Sequence, residues 1–340
     1  MKILKRLFIL SLLITVSVGG LYFFYIKNNN DIALPTLINF HTSNKKYIIK
    51  KAGNIVDEAD TEEEAIHKAK NIKRSIAINT VNNEWVYNPF NPFLIITDTA
   101  VHDFETFKEA IKYAKNNNYD KIYFENISTL IWEDKVQVNQ FKEIEVPMIM
   151  QNPELPRGCE VTSLAMILKY RNIEVDKLTL ATEIKKDTSP FYIDEKGRKH
   201  YGNPYDGFVG DMYNMSKNGY GVYHDPVAEL AQKYCGDKVI DLTGGEFEDI
   251  LYFLSQGNPI WVITNATYQP LDDSKFEIWH TPTGIVKITN KQHSVVIVGF
   301  DEKNVYINDP LRNTANVAIN KEMFRKAWEQ MGHQAITILK

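Results

Sequence analysis

Gln151-Asn-Pro-Glu-Leu-Pro-Arg-Gly-Cys159-Glu-Val-Thr-Ser-Leu-Ala-Met166 reads as a proline-rich loop that ends at a glycine and runs through a cysteine into a helix. The helix is predicted from Val161, Leu164, Ala165 and Leu168, which share one face at a period near 3.6. A cysteine at a helix start meets unpaired backbone N–H groups and the positive end of the dipole. Both favour thiolate over thiol, so Cys159 is placed to be a nucleophile. Glu160 falls in the first helical turn, where an acid complements the dipole.

Far downstream, His293 opens the apolar run Ser294-Val-Val-Ile-Val-Gly-Phe300. Asp301 to Asn304 forms a turn, and Val305-Tyr-Ile-Asn308 returns antiparallel. Such a hairpin brings Asp309 back toward the start of the first strand. An acid there fixes the tautomer of His293 through one ring nitrogen and leaves the other to face Cys159. That is a nucleophile, a base and an orienter, and the pair is expected to exist as thiolate and imidazolium. Gln151 precedes the cysteine on the loop, so its amide would join the Cys159 N–H in stabilising an oxyanion. Singly, each of these residues is an ordinary packing or turn residue. Their order and setting together carry the reading. His280, in Ile278-Trp-His-Thr-Pro282, is the rival base, in a loop between strands, while His200 and His224 fall in polar loops with no visible partner.

Working outward, the region from 146 to 340 places helices first and strands last, an α+β arrangement. The expected strands are Ile260–Thr264, Gly284–Ile288, Ser294–Phe300, Val305–Asn308 and Ala335–Ile338. Upstream, residues 31–145 hold a duplicated α/β module, with units at about 46–88 and 91–134. Thr61-Glu-Glu-Glu-Ala-Ile-His-Lys-Ala-Lys-Asn71 matches Thr106-Phe-Lys-Glu-Ala-Ile-Lys-Tyr-Ala-Lys-Asn116 as a helix. The offset is constant, since 110 minus 65 equals 114 minus 69. Each unit reads as strand, helix and strand, and then a tryptophan, Trp85 or Trp132. Asp60 and Asp103 are expected to cap the two helices. Residues 137–147 read as a connector or entering strand.

Residues 1–30 form a segment of their own. Lys2, Lys5 and Arg6 precede an uncharged apolar run from Leu7 to Ile26. A run of about 20 residues suits a membrane-spanning helix, and the basic flank puts the rest of the chain outside the cytoplasm. The expectation is a single-pass cell-membrane anchor with an extracytoplasmic body. The alternative is a secreted protein after signal cleavage near Ser17 and Gly19, which would leave Leu21 to Ile26 exposed. A net charge of −4 gives no hint of nucleic acid, and no cysteine and histidine spacing of the metal-binding type is present. No cofactor is implied. A disulfide between Cys159 and Cys235 is the competing use of the two cysteines in an exported protein. Cys235 otherwise reads as a free residue where a helix ends at Gly236.

Leu155 to Met166, His293 to Phe300 and Asn308-Asp309-Pro310 together resemble the bacteriocin-processing cysteine peptidases, family 39 of the cysteine type, and their standalone secreted relatives in the papain-like group. The resemblance covers about residues 146–340. It implies a papain-like domain with Cys159 as nucleophile, His293 as base, Asp309 as orienter and Gln151 as oxyanion helper. The best-known members are fused to an export ATPase and cut leader peptides after a double glycine. This chain has no phosphate-binding loop of the Walker type, so that substrate does not carry over.

The resulting expectation is an extracytoplasmic cysteine peptidase acting on a peptide or protein. The alternatives are an acyl transferase or transpeptidase using the same acyl-enzyme, and a non-catalytic cell-envelope binding protein. The doubled module would serve as a spacer or would meet cell-wall polymer or a protein partner.

Overall fold

The computed structural model of the chain describes residues 45–97, 100–134 and 144–340. The expected anchor and most of the 137–147 connector lie outside them. Among the described residues no helix is long and apolar enough to cross a membrane. The chain divides into two compact units, one of residues through Pro89 with Ile96–Val101, the other of Phe90–Ile95 and His102–Lys340.

The first unit runs β1 (Tyr47–Lys51), β2 (Asn54–Ala59), α1 (Glu62–Lys70), β3 (Ser75–Asn79) and β4 (Trp85–Tyr87). Its sheet has the order β2-β1-β3-β4, and every paired neighbour is antiparallel. Ala65 and Ala69, one turn apart, pack their face of α1 on Tyr47, Ile49 and Ala77. The second copy repeats the order: β5 (Phe93–Ile96), β6 (Val101–Phe104), α2 (Phe107–Asn117), β7 (Lys121–Phe124) and β8 (Leu130–Glu133), in a sheet ordered β6-β5-β7-β8. Each copy therefore has two strands before its helix, one more than the sequence suggests. The helix caps also differ from expectation. Thr61 and Thr106 accept from Glu64 N and Glu109 N, and Glu109 closes a capping box. A threonine hydroxyl next to the helix reaches the third N–H, which the preceding aspartates do not.

The rest of the second unit is α+β. Helices α3 (Cys159–Tyr170) and α4 (Lys177–Glu183) lead into short strands β9 (Lys186–Asp187), β10 (Tyr192–Ile193), β11 (Lys199–His200) and β12 (Phe208–Val209). Then come α5 (His224–Cys235), β13 (Val239–Asp241), α6 (Phe247–Ser255), β14 (Ile260–Asn265), β15 (Glu277–Thr281), β16 (Gly284–Ile288), β17 (Gln292–Phe300), β18 (Asn304–Asn308), β19 (Val317–Asn320), α7 (Lys321–Gln330) and β20 (Ala335–Ile338). Six strands form the main sheet in the order β13-β20-β14-β17-β18-β19, all neighbours antiparallel.

The helix carrying Cys159 is not amphipathic. Every residue from Cys159 to Leu168 is buried, so α3 is a core helix rather than one with a single apolar face. Its hydroxyls are satisfied within the core: Thr162 Oγ1 donates to Gly158 O at 2.7 Å and Ser163 Oγ to Ser294 O at 3.2 Å. Strand β17 is equally enclosed from His293 to Phe300, which is why it reads as an unbroken apolar run. Its pairing with β18 shifts register between Ile297 and Gly299, and the bulged Val298 carbonyl accepts the Ile144 N–H at 2.7 Å.

In this unit Phe107 packs edge-on to Phe253, with ring centroids 5.5 Å apart, and against Phe93. The buried Asp249 accepts from Lys115 Nζ at 2.7 Å and from Trp132 Nε1 at 3.2 Å. Phe107 is fully enclosed. Phe107→Ala is therefore expected to lower the unfolding free energy by about 3–5 kcal/mol in urea denaturation.

Candidate active site

Helix α3 begins at Cys159, with Gly158 as N-cap and no side chain capping it. The first-turn N–H groups are left for other acceptors. Gly158 is required by packing, since a Cβ there would lie 2.6 Å from Leu155 Cβ. The loop ahead of it is pinned at several points. Gln151 N donates to Pro310 O at 2.9 Å, Leu155 N to Gln151 O at 3.0 Å and Gly158 N to Leu155 O at 2.9 Å. The first of these bonds ties the loop of the nucleophile to the residue after Asp309.

The β17–β18 hairpin performs the transfer expected of it. Val296 pairs with Asn308, and His293 Nε2 then meets Asp309 Oδ1 at 2.7 Å. Both residues are buried, at 3% and 2% exposure. Asp309 is held from all sides: Leu311 N donates to Oδ1 at 2.9 Å, Tyr268 Oη to Oδ2 at 2.6 Å, and Arg312 Nε lies 3.1 Å from Oδ2. Burial works against its charge. The His293 ring, the Tyr268 hydroxyl and the Leu311 N–H outweigh that and hold the carboxyl down at about 2. With Nε2 bound to the acid, Nδ1 is the nitrogen left for the cleft.

Cys159, His293 and Gln151 line one cleft of about 400 Å³, together with Arg157, Tyr220 and Gln292. The surroundings of the sulfur work against the expected thiolate. Burial pushes the Cys159 thiol well up, the neighbouring Glu160 carboxylate adds to this, and only a hydrogen bond from the Ser294 backbone opposes it. The sulfur is more enclosed than a helix start alone suggests, and its sequence neighbour is an acid. Glu160 itself is wholly buried, not a solvated complement to the dipole. Gln151 is buried too. Its Nε2 donates to Leu155 O at 3.2 Å and Pro156 O at 2.9 Å, and its Oε1 has no partner. Both amide hydrogens are thus engaged by the loop's own carbonyls.

The rival histidines lie elsewhere. His280 sits within strand β15, not in a loop, and is paired in register with His200. His200 Nε2 bonds Asp194 at 3.1 Å, and His224 Nδ1 bonds Asp241 at 2.6 Å. None of the three lines the cleft. Cys159 and Cys235 are both free thiols. Tyr268 and Arg312, which complete the shell of Asp309, carry no local sequence signal. Nor does the Ser294 N–H beside the sulfur.

The Peptidase_C39 like family matches residues 143–336, more than half of the chain. The chain belongs to that family. It is 47% identical over 191 residues to the uncharacterized protein YvpB of Bacillus subtilis (strain 168), covering 56% of this chain and 72% of that one. A crystal structure of a C39-like peptidase candidate from Bacillus anthracis superposes with a TM-score of 0.55 at 47% identity, over 59% of this chain and 98% of that one. A double glycine motif protease from an AMS/PCAT transporter, solved with its leader peptide, shares 18% identity with a TM-score of 0.28, over 59% and 99% of the two chains.

The depressed carboxyl of Asp309 makes stability depend on pH. Its folded value near 2 lies below the usual 3.8. Its contribution is therefore present above about pH 4 and is lost as pH falls through about 2. The stability gap between the native chain and Asp309→Asn, measured by urea denaturation, is expected to be constant above pH 5 and to shrink between pH 4 and 2.

Proposed function

We propose that this chain is a cysteine peptidase that cuts peptide bonds through an acyl-enzyme on Cys159. One observation carries the reading. Cys159 and His293 face the same cleft, and the far nitrogen of His293 is fixed by a buried acid at 2.7 Å. Membership of the Peptidase_C39 like family supports a peptide substrate.

The Cys159 sulfur adds to the scissile carbonyl carbon while His293 Nδ1 takes the thiol proton. Burial favours the neutral thiol, which suits a base that acts during attack rather than before it. Asp309 holds the tautomer and stabilises the imidazolium. The oxyanion meets the Cys159 N–H at the head of α3. Gln151 serves as the second donor, giving up a loop carbonyl to do so, which makes its contribution the smaller of the two. The C–N bond then breaks, and His293 returns its proton to the leaving amine. Water, deprotonated by the same nitrogen, releases the acyl group and restores the thiol. No step calls on a metal or an organic cofactor.

We further read residues 1–30 as a membrane anchor that leaves the peptidase outside the cytoplasm. The basic flank and the uncharged run from Leu7 to Ile26 support this. The domain division read from the sequence is retained as part of the proposal, with the doubled module at 31–145 as spacer or recognition element and the peptidase domain at 146–340.

The test is digestion of an unfolded protein mixture by the full chain, with products identified by mass spectrometry. Cys159→Ala is expected to cut turnover roughly 10⁴-fold or more with the fold retained. Unchanged hydrolysis in that variant would sink the proposal. Gln151→Ala is expected to cost only about tenfold in kcat, less than the 10²–10³ of a fully committed oxyanion donor.

A further inference from the structure

Tyr268 is a bulky residue in the left-handed backbone region, with φ at +55°. Residues with a Cβ rarely take that conformation, because Cβ crowds the following carbonyl. A tight turn at the end of β14 holds it there. Asn265 Oδ1 accepts from Thr267 N at 2.9 Å, Asn265 Nδ2 donates to Gln269 O at 2.8 Å, and Tyr268 N donates to Asn265 O at 3.0 Å. Beyond the turn, Leu271 N donates to Gln330 Oε1 at 2.8 Å and Gln330 Nε2 to Leu271 O at 2.7 Å, which ties the loop to α7. A glycine at 268 would make the same turn without strain. What sets tyrosine apart there is its side chain.

That side chain is buried, at 4% exposure. It stacks on Phe324 of α7, with ring centroids 6.1 Å apart. Its hydroxyl donates to Asp309 Oδ2 at 2.6 Å. The two oxygens of the acid are thereby divided. Oδ1 takes the His293 ring and the Leu311 N–H, while Oδ2 takes the Tyr268 hydroxyl and Arg312 Nε. The two donors on Oδ2 differ in kind. The Arg312 side chain is half exposed, and Tyr268 is enclosed. A phenol holds the oxygen without cancelling its charge, whereas a second buried cation would compete with the imidazolium for it. Tyr268 does not line the cleft, so it acts on the site from behind.

We propose that Tyr268 is a positioning residue whose hydroxyl pins Asp309 Oδ2, so that Oδ1 stays in line with His293 Nε2 and the ring keeps its aim at the cleft. This rests on the peptidase reading above. The last torsion of a carboxylate side chain is broad, so the backbone of Asp309 does not fix which oxygen faces the ring. A short, buried bond to the other oxygen does. The left-handed turn is what carries the phenol from the end of β14 to the acid.

Tyr268→Phe removes the hydroxyl and keeps the ring and its stacking. In the full chain its kcat is expected to fall about tenfold, the effect of one hydrogen bond to a charged group, with KM unchanged. In an Asp309→Asn background the same substitution is expected to change kcat no further, because the acid it acts through is gone. A packing role alone predicts a lower melting temperature with kcat per folded enzyme unchanged, or an equal loss in both backgrounds. Either result overturns the proposal, as does a rise in KM in place of the fall in kcat. The second readout needs no substrate: the low-field proton NMR signal of the hydrogen shared by His293 Nε2 and Asp309. It decides should Asp309→Asn not fold or should no peptide be cut. A shifted or faster-exchanging signal in Tyr268→Phe supports the proposal, and an unmoved one overturns it. A shifted signal without Cys159-dependent hydrolysis sinks only the peptidase reading. Hydrolysis that Tyr268→Phe leaves intact sinks only the role of Tyr268.

Discussion

The bond between His293 Nε2 and Asp309 Oδ1 depends on a dry hairpin, and much of the second unit serves to keep it so. Strand β17 lies fourth of six, flanked by β14 and β18; His293 pairs with Thr264 of β14, and β18 ends at Asn308 opposite Val296, just short of the acid. Helix α3 packs on β17, with Ser163 Oγ donating to Ser294 O. In such a medium a hydrogen bond between an imidazole and a carboxylate is strong, and an unpaired carboxylate is costly. The four contacts on Asp309 follow from that. Removing Tyr268 or Arg312 would leave the acid short of partners without touching the cysteine.

The same burial favours the neutral form of the sulfur. A helix N-terminus contributes a partial charge of about half a unit, and that is opposed by the enclosure of Cys159 and by the acid on the next residue. In the proposed mechanism, proton transfer from sulfur to His293 is then part of the chemical step, and the acid behind the imidazole supplies what the dipole does not.

Cys159, His293 and Asp309 were legible as candidates because each sits at a junction that sequence marks well. Gly158 and Cys159 end a proline-rich loop, and Asp301 to Asn304 is a turn between apolar runs. Strand limits at β16 and β20 coincide with expectation. What was not legible depends on distant pairing. Tyr268 reaches Asp309 across 41 positions and Gln292 reaches Glu160 across 132, and no local pattern encodes either contact. The periodicity of α3 misled for a related reason. Thr162 and Ser163 look like a polar face until the carbonyls of Gly158 and Ser294 are found to receive them. Gln151 lines the cleft, but the carbonyls that occupy its amide belong to a loop conformation that the sequence does not specify.

Arg157, two residues before the nucleophile, shows how the cleft wall is made part of the same rigid piece. Its guanidinium donates to four backbone carbonyls, those of Asp211, Asn214, Met215 and Lys217, at 2.9–3.3 Å. A planar fork of five donors suits such a cluster, where a lysine offers one small head group. The loop it gathers leads into Gly219 and Tyr220, which line the cleft with Cys159. Displacing that loop would also displace Val222 and Gly221 from Glu160. Arg157 on one side of the nucleophile and Glu160 on the other therefore hold the same segment. The position of the cleft wall is thus set by the residues on either side of Cys159.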